Sequence, residues 1–105
     1  MPEFAPTTIA GVLRVSLRAF EDERGFFKET FRLSDYDAAG LGPFVQDNVS
    51  HSVRGVLRGL HWDPRIAKLT QVLVGHTFHV LVDVRPDSPT YGVTESFELD
   101  AADHE

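Results

Sequence analysis

Phe78-His79-Val80-Leu81-Val82-Asp83-Val84 is the stretch that decides the fold. Phe78, Val80, Val82 and Val84 share one face of an extended chain, and His79, Leu81 and Asp83 share the other. Side chains of a strand alternate between faces, so this period of two reads as a half-buried β-strand. The same period recurs over residues 13–20, with Leu13, Val15, Leu17 and Ala19 opposed to Arg14, Ser16, Arg18 and Phe20. Glu21-Asp22-Glu23-Arg24-Gly25 then reads as a turn, and residues 26–31 as the returning arm of a hairpin. Further strands are expected at 44–49, 56–62, 69–74 and 93–99, with turn residues between them. One short helix is expected over 34–40, where the Ser34 hydroxyl accepts from free N–H groups and Gly40 permits a left-handed exit. Short strands at regular spacing with a single helix predict an all-β sandwich or barrel, mostly antiparallel.

The 105 residues are enough for one domain, residues 1–105, and show no repeat, low-complexity tract or linker. Apolar runs are too short to cross a bilayer, and the N-terminus lacks the basic start and apolar core of a secretion signal. A soluble cytoplasmic protein is therefore expected. With no cysteine there is no disulfide, thiolate nucleophile or thiolate metal site, which leaves chemistry to His, Asp, Glu, Lys, Arg and Tyr. The net charge of -6 argues against a nucleic-acid surface, which needs an excess of clustered cations. Arg54, Arg58, Arg65 and Lys68 nevertheless crowd one stretch of this acidic chain. They read equally as a site for a small anion such as a diphosphate or as a basic loop balanced by neighbouring acids.

The densest segment is Gly55-Val56-Leu57-Arg58-Gly59-Leu60-His61-Trp62. Glycines on either side of Arg58 let a ligand approach the backbone. A lone histidine near a strand end is more often a hydrogen-bonded structural residue than a catalyst, so His61 alone does not settle a function. Metal binding is the other use of histidine, and the chain offers His51, His61, His76 and His79. No His-x-His pair is present, and His76 and His79, three apart, would face opposite ways if they shared one strand. No metal is expected.

Taken together, Asp22-Glu23-Arg24-Gly25-Phe26-Phe27-Lys28-Glu29, Phe44-Val45-Gln46-Asp47-Asn48, the Gly55 to Trp62 segment, Lys68-Leu69, residues 78–85 and Ser88-Pro89-Thr90-Tyr91-Gly92 resemble, in order, the motifs of the dTDP-4-dehydrorhamnose 3,5-epimerase family. The resemblance runs from about Thr8 to Leu99. It implies a cupin-type jelly roll and a cofactor-independent epimerase acting on a dTDP-4-keto-6-deoxyhexose, whose C4 ketone acidifies the protons on C3 and C5. It implies that His61 is the base, since a neutral imidazole titrates near working pH. By the same resemblance Lys68 stabilises charge developing on O4, and Asp83 is an acidic barrel residue that polarises or orients basic neighbours, with a structural hydrogen-bonding role weighed equally beside it. Arg24, Phe26 and Glu29 become nucleotide contacts that reach toward a neighbouring subunit, which implies a homodimer. Gln46, Asn48 and Arg58 become further substrate contacts.

The chain departs from the family pattern in three places. Trp62 and Asp63 stand where tyrosine and glutamine are expected, His79 stands where an acid is usual, and Lys68 lies a few residues closer to His61. The resemblance also implies further C-terminal strands, carrying a tyrosine proton donor, an acidic partner of the histidine and an aromatic for thymine. Tyr36 and Tyr91 match none of these. The competing expectation is therefore a non-catalytic truncated cupin module that keeps only dimerisation and nucleotide-sugar binding.

Overall fold

In the computed structural model, which describes all of residues 1–105, the chain folds as three antiparallel hairpins and one short helix. Strand β1 (Glu3–Pro6) pairs with β2 (Leu13–Ser16), β3 (Ala19–Asp22) with β4 (Gly25–Lys28), and β5 (His76–Val82) with β6 (Thr94–Asp100). Helix α1 (Leu33–Ala38) follows β4, and a 3-10 turn (Ala101–Asp103) follows β6. The all-β expectation with one helix is met.

The decisive stretch forms the longest hairpin. Seven residue pairs run from His76↔Asp100 to Val82↔Thr94. Two backbone bonds beyond the strands, Asp83 N–H to Val93 O at 2.9 Å and Gly92 N–H to Asp83 O at 2.7 Å, carry the pairing into the loop. Gly92 has a φ of +80°, a conformation in which a side chain would be strained.

Upstream, the pairing differs from the expected hairpin of 13–20 with 26–31. The strand breaks after Ser16 because Leu17 N–H donates to His104 O at 2.8 Å instead of continuing a ladder. Its first half pairs with β1, a strand whose flanking prolines and short length left no alternation to read. Its second half makes a four-pair hairpin with β4. The turn is closed by Asp22, whose Oδ1 accepts from Arg24 N–H at 2.8 Å, and by Gly25 at a φ of +124°.

The helix begins one residue earlier than expected. Its N-cap is Arg32, with no side-chain cap, so Ser34 lies inside the first turn and does not cap. Gly40 does make the left-handed exit, at a φ of +77°. What seats α1 is Tyr36, only 2% exposed, packed edge-on to Phe4 of β1 at 5.3 Å and against Phe31 at 4.9 Å. Phe44 closes the cluster, 6.2 Å from Tyr36, and the Tyr36 hydroxyl donates to Thr30 O at 3.3 Å.

The strands expected at 44–49, 56–62 and 69–74 are not formed. Between Gly42 and Val74 the only backbone-to-backbone bonds are the local turns Val56 N–H to Val53 O and Ile66 N–H to Asp63 O. Alternation shows which residues of a segment would share a face, whereas a strand also needs a neighbour to take its N–H and C=O groups. No other segment of residues 1–105 lies alongside. Consequently only Ile9, Tyr36, Val72 and Asp83 are buried, while Leu57, Val45 and Val74 are 90% exposed or more. The radius of gyration, 14.9 Å, exceeds the ~13 Å of a close-packed domain of this length.

Candidate functional site

Asp83 is the one buried charged residue, and its carboxylate is saturated. Arg85 donates from Nε to Oδ1 and from Nη2 to Oδ2, both at 2.9 Å, and from its backbone N–H to Oδ1 at 3.0 Å. The hydroxyls of Ser88 and Thr90 donate to Oδ2 at 2.5 and 2.7 Å. The Arg85 guanidinium, then the Ser88 hydroxyl, hold the Asp83 carboxyl far below the usual carboxylate range, against the opposing effect of burial. Arg85 Nη2 and Thr90 Oγ1 also bind the backbone of Ala10, and Glu95 accepts from Thr8 N–H and Oγ at 3.0 and 2.6 Å. These side chains join the β1–β2 turn to the β5–β6 loop. The basic group that Asp83 binds is Arg85, and the carboxylate makes no hydrogen bond to His61 or Lys68.

The other anticipated site residues are all exposed. Arg24, on the β3–β4 turn, forms an ion pair with Asp22, which lowers the Asp22 carboxyl and raises the guanidinium. Glu29 receives a two-pronged contact from Arg32, at 2.9 and 2.8 Å, and is lowered by it. Phe26 of β4 stands edge-on to His104, centroids 4.7 Å apart. Gln46 donates to Asn48 at 3.3 Å. Arg58 donates to Ser52 Oγ at 2.8 Å and His51 O at 3.2 Å, leaving part of its fork free. Neither the His61 nor the Lys68 side chain makes a hydrogen bond or ion pair within the chain, so both present their nitrogens to solvent or ligand.

Of the remaining histidines, His76 Nδ1 meets Asp100 at 3.4 Å and His79 Nε2 meets Thr77 Oγ1 at 2.6 Å. Sequence reasoning missed Arg85, Ser88 and Thr90 as one unit with Asp83. The Asp83-x-Arg85 spacing of an Asx turn, two residues before a serine- and threonine-bearing loop, was the available signal.

The scaffold of antiparallel hairpins with one short helix is shared with solved dTDP-sugar epimerases. The chain matches the family model described as dTDP-4-dehydrorhamnose 3,5-epimerase over residues 6–105, and it belongs to that family. It is 46% identical over 92 residues to the dTDP-4-dehydrorhamnose 3,5-epimerase of Methanothermobacter thermautotrophicus, covering 85% of this chain and 50% of that one. To the Pseudomonas aeruginosa enzyme of the same name it is 47% identical over 88 residues, covering 80% and 49%. Among solved structures it superposes on a Legionella pneumophila dTDP-6-deoxy-D-glucose-3,5-epimerase in complex with dTDP-4-keto-L-rhamnose. That TM-score is 0.86, at 36% identity, over 99% of this chain and 57% of that one. A Bacillus anthracis dTDP-4-dehydrorhamnose 3,5-epimerase with TDP and pyrophosphate bound gives 0.82 at 33% identity, over 99% and 62%. The chain spans about half the length of the curated relatives it matches.

The Asp83 network predicts an acid-sensitive stability. Because the folded carboxyl is depressed below its unfolded value of about 3.9, its stabilisation is fully present above that pH. It is lost as pH falls toward the folded value. Asp83→Asn should lower the urea midpoint at pH 7, and its deficit from wild type should narrow at pH 3. Equal midpoints at pH 7 would contradict the structural role.

Proposed function

We propose that the chain is the N-terminal part of a cupin-type jelly roll that epimerises a dTDP-4-keto-6-deoxyhexose without a cofactor. The observation that carries this reading is the superposition, at 36% identity, on an epimerase whose structure holds dTDP-4-keto-L-rhamnose. Residues 1–105 act as a single domain in this reading, and the setting is the cytoplasm.

The chemistry follows from the ketone. Removing the proton from C3 or C5 leaves an enolate whose charge rests on O4, and protonation from the opposite face inverts the centre. His61 takes the proton, its imidazole free of competing bonds in the chain. Lys68 stabilises O4 as charge develops there, a contribution that grows as water is excluded. Arg58 holds a diphosphate oxygen with the donors that Ser52 and His51 leave free. Gln46 and Asn48 contact the sugar nucleotide, and Arg24, Phe26 and Glu29 bind its nucleotide end. Asp83 serves by fixing the β5 end and the Arg85 loop. Tyr36 is buried and bonded to Thr30, which removes it as the returning acid.

Solvent-deuterium wash-in at C3 and C5 of dTDP-4-keto-6-deoxyglucose tests the assignment. The chain should incorporate deuterium, and His61→Ala should slow incorporation by about 10²-fold or more, the usual loss with a general base. Lys68→Ala should slow it as well. No wash-in by wild type, or an unchanged rate in His61→Ala, contradicts the reading.

Association into a homodimer belongs to the same reading, because Arg24, Phe26 and Glu29 are read there as contacts that reach toward a neighbouring subunit. Sedimentation equilibrium across a concentration series should show a dimer. A monomer at every concentration would overturn it.

A further inference from the structure

The chain after β6 does not run into solvent. Asp100 Oδ1 accepts from Ala102 N–H at 2.9 Å and starts the 3-10 turn, while Ala101 N–H donates to Gly75 O. The turn ends at His104, which takes a left-handed conformation (φ 56°, ψ 41°) and is the only non-glycine residue of positive φ in the chain. That conformation is costly for a residue with a Cβ, so contacts of the residue have to hold it, one through its carbonyl and three through its ring. Four do. The His104 carbonyl accepts from Leu17 N–H at 2.8 Å, and Nδ1 lies 3.2 Å from Lys28 Nζ. The ring sits edge-on to Phe26 at 4.7 Å, and Nε2 faces Glu21 Oε1 at 3.8 Å. Next door, Glu105 pairs with Arg14 of β2 at 2.6 Å.

The strand register explains why one ring meets all three side chains. Phe26 and Lys28 are two apart on β4, and Glu21 is the cross-strand partner of Phe26, so the three share one face of the hairpin. Phe20 and Phe27, paired on the other face, are exposed. A lysine ammonium can only donate, so its contact makes Nδ1 the acceptor and leaves the ring proton on Nε2, toward Glu21. The side chain of His104 is only 15% exposed in this setting.

We propose that His104 is a positioning residue: it clamps the exposed β3–β4 hairpin to the body of the chain and sets the ring of Phe26 for the nucleotide. This rests on the reading of Phe26 as a nucleotide contact. A four-residue, two-stranded hairpin is marginal on its own, and β3–β4 shares no ladder with another strand. Without the clamp, Phe26 and the neighbouring Arg24 and Glu29 have no fixed relation to the rest of the site.

The test compares five variants by residue-resolved amide exchange over residues 19–28 and by calorimetric binding of dTDP. His104→Ala and Lys28→Met, the latter keeping the apolar stem, should each speed exchange by about fivefold, the size of one lost hydrogen bond. Each should also weaken dTDP binding. Combined, they should do little more than the larger single effect, since the His104–Lys28 contact is common to both. His104→Asn, which returns an acceptor near the Nδ1 position and tolerates positive φ, should restore both readouts. Unchanged exchange in the single variants, or fully additive effects, overturns the clamp. Faster exchange with unchanged dTDP affinity overturns its positioning role. Phe26→Ala separates the two layers, because full-strength dTDP binding by that variant contradicts the nucleotide reading itself.

Discussion

The Asp83 carboxylate is the constraint on which the rest of the chain depends. A buried charge is tolerated only when its lone pairs are filled, and here Arg85, Ser88 and Thr90 fill them from a single loop. The same groups reach Ala10, and Thr8 reaches Glu95, so the first and last hairpins are joined by side chains although they share no ladder. The aromatic cluster of Phe4, Phe31, Tyr36 and Phe44 then fastens α1 to β1. His104 brings the third hairpin onto the same body. The framework is thus three short hairpins held by bridges, in place of one continuous sheet.

That architecture bears directly on the proposed chemistry. The hairpins and their turns hold Asp83, Arg24 and Phe26, whereas His61, Lys68, Arg58, Gln46 and Asn48 lie on the segment that has no ladder bonds. Along that segment the side chains settle with near neighbours, as Gln46 does with Asn48 and Asp63 does with Arg65. The His61 and Lys68 side chains are left without hydrogen-bond or ion-pair partners in the chain. Such a nitrogen is available for substrate, but its geometry relative to Lys68 is set by what lines the segment and not by a strand of its own.

The parts legible from sequence were those whose cause is local. Alternation over 78–84 marked β5, Asp22 and Gly25 marked the tight turn, and Gly40 marked the helix exit. The order of short motifs pointed to the family, and the match over residues 6–105 shows it. What was not legible depends on distant partners. The break at Leu17 is made by His104, 87 residues later, and β1 exists because β2 lies beside it. The strands expected within 44–74 have the right alternation but no partner in these residues. Ser34 satisfies the rule for a cap, yet Arg32 occupies the position, because Tyr36 fixes the helix by its packing. Asp83 was picked out by the family resemblance, and only the fold shows that Arg85, Ser88 and Thr90 already fill its hydrogen bonds.

Bridged hairpins form the framework, while the segment bearing His61 and Lys68 stands outside any ladder. Brief trypsin digestion with mass-spectrometric mapping of the first cuts tests it most directly, because a cleavable bond must leave its local structure to enter the protease. The account predicts first cuts after Arg54, Arg58, Arg65 and Lys68, with the bonds after Arg14 and Lys28 cleaved much later. Early cleavage at Arg14 or Lys28, with residues 54–68 resistant, would contradict it.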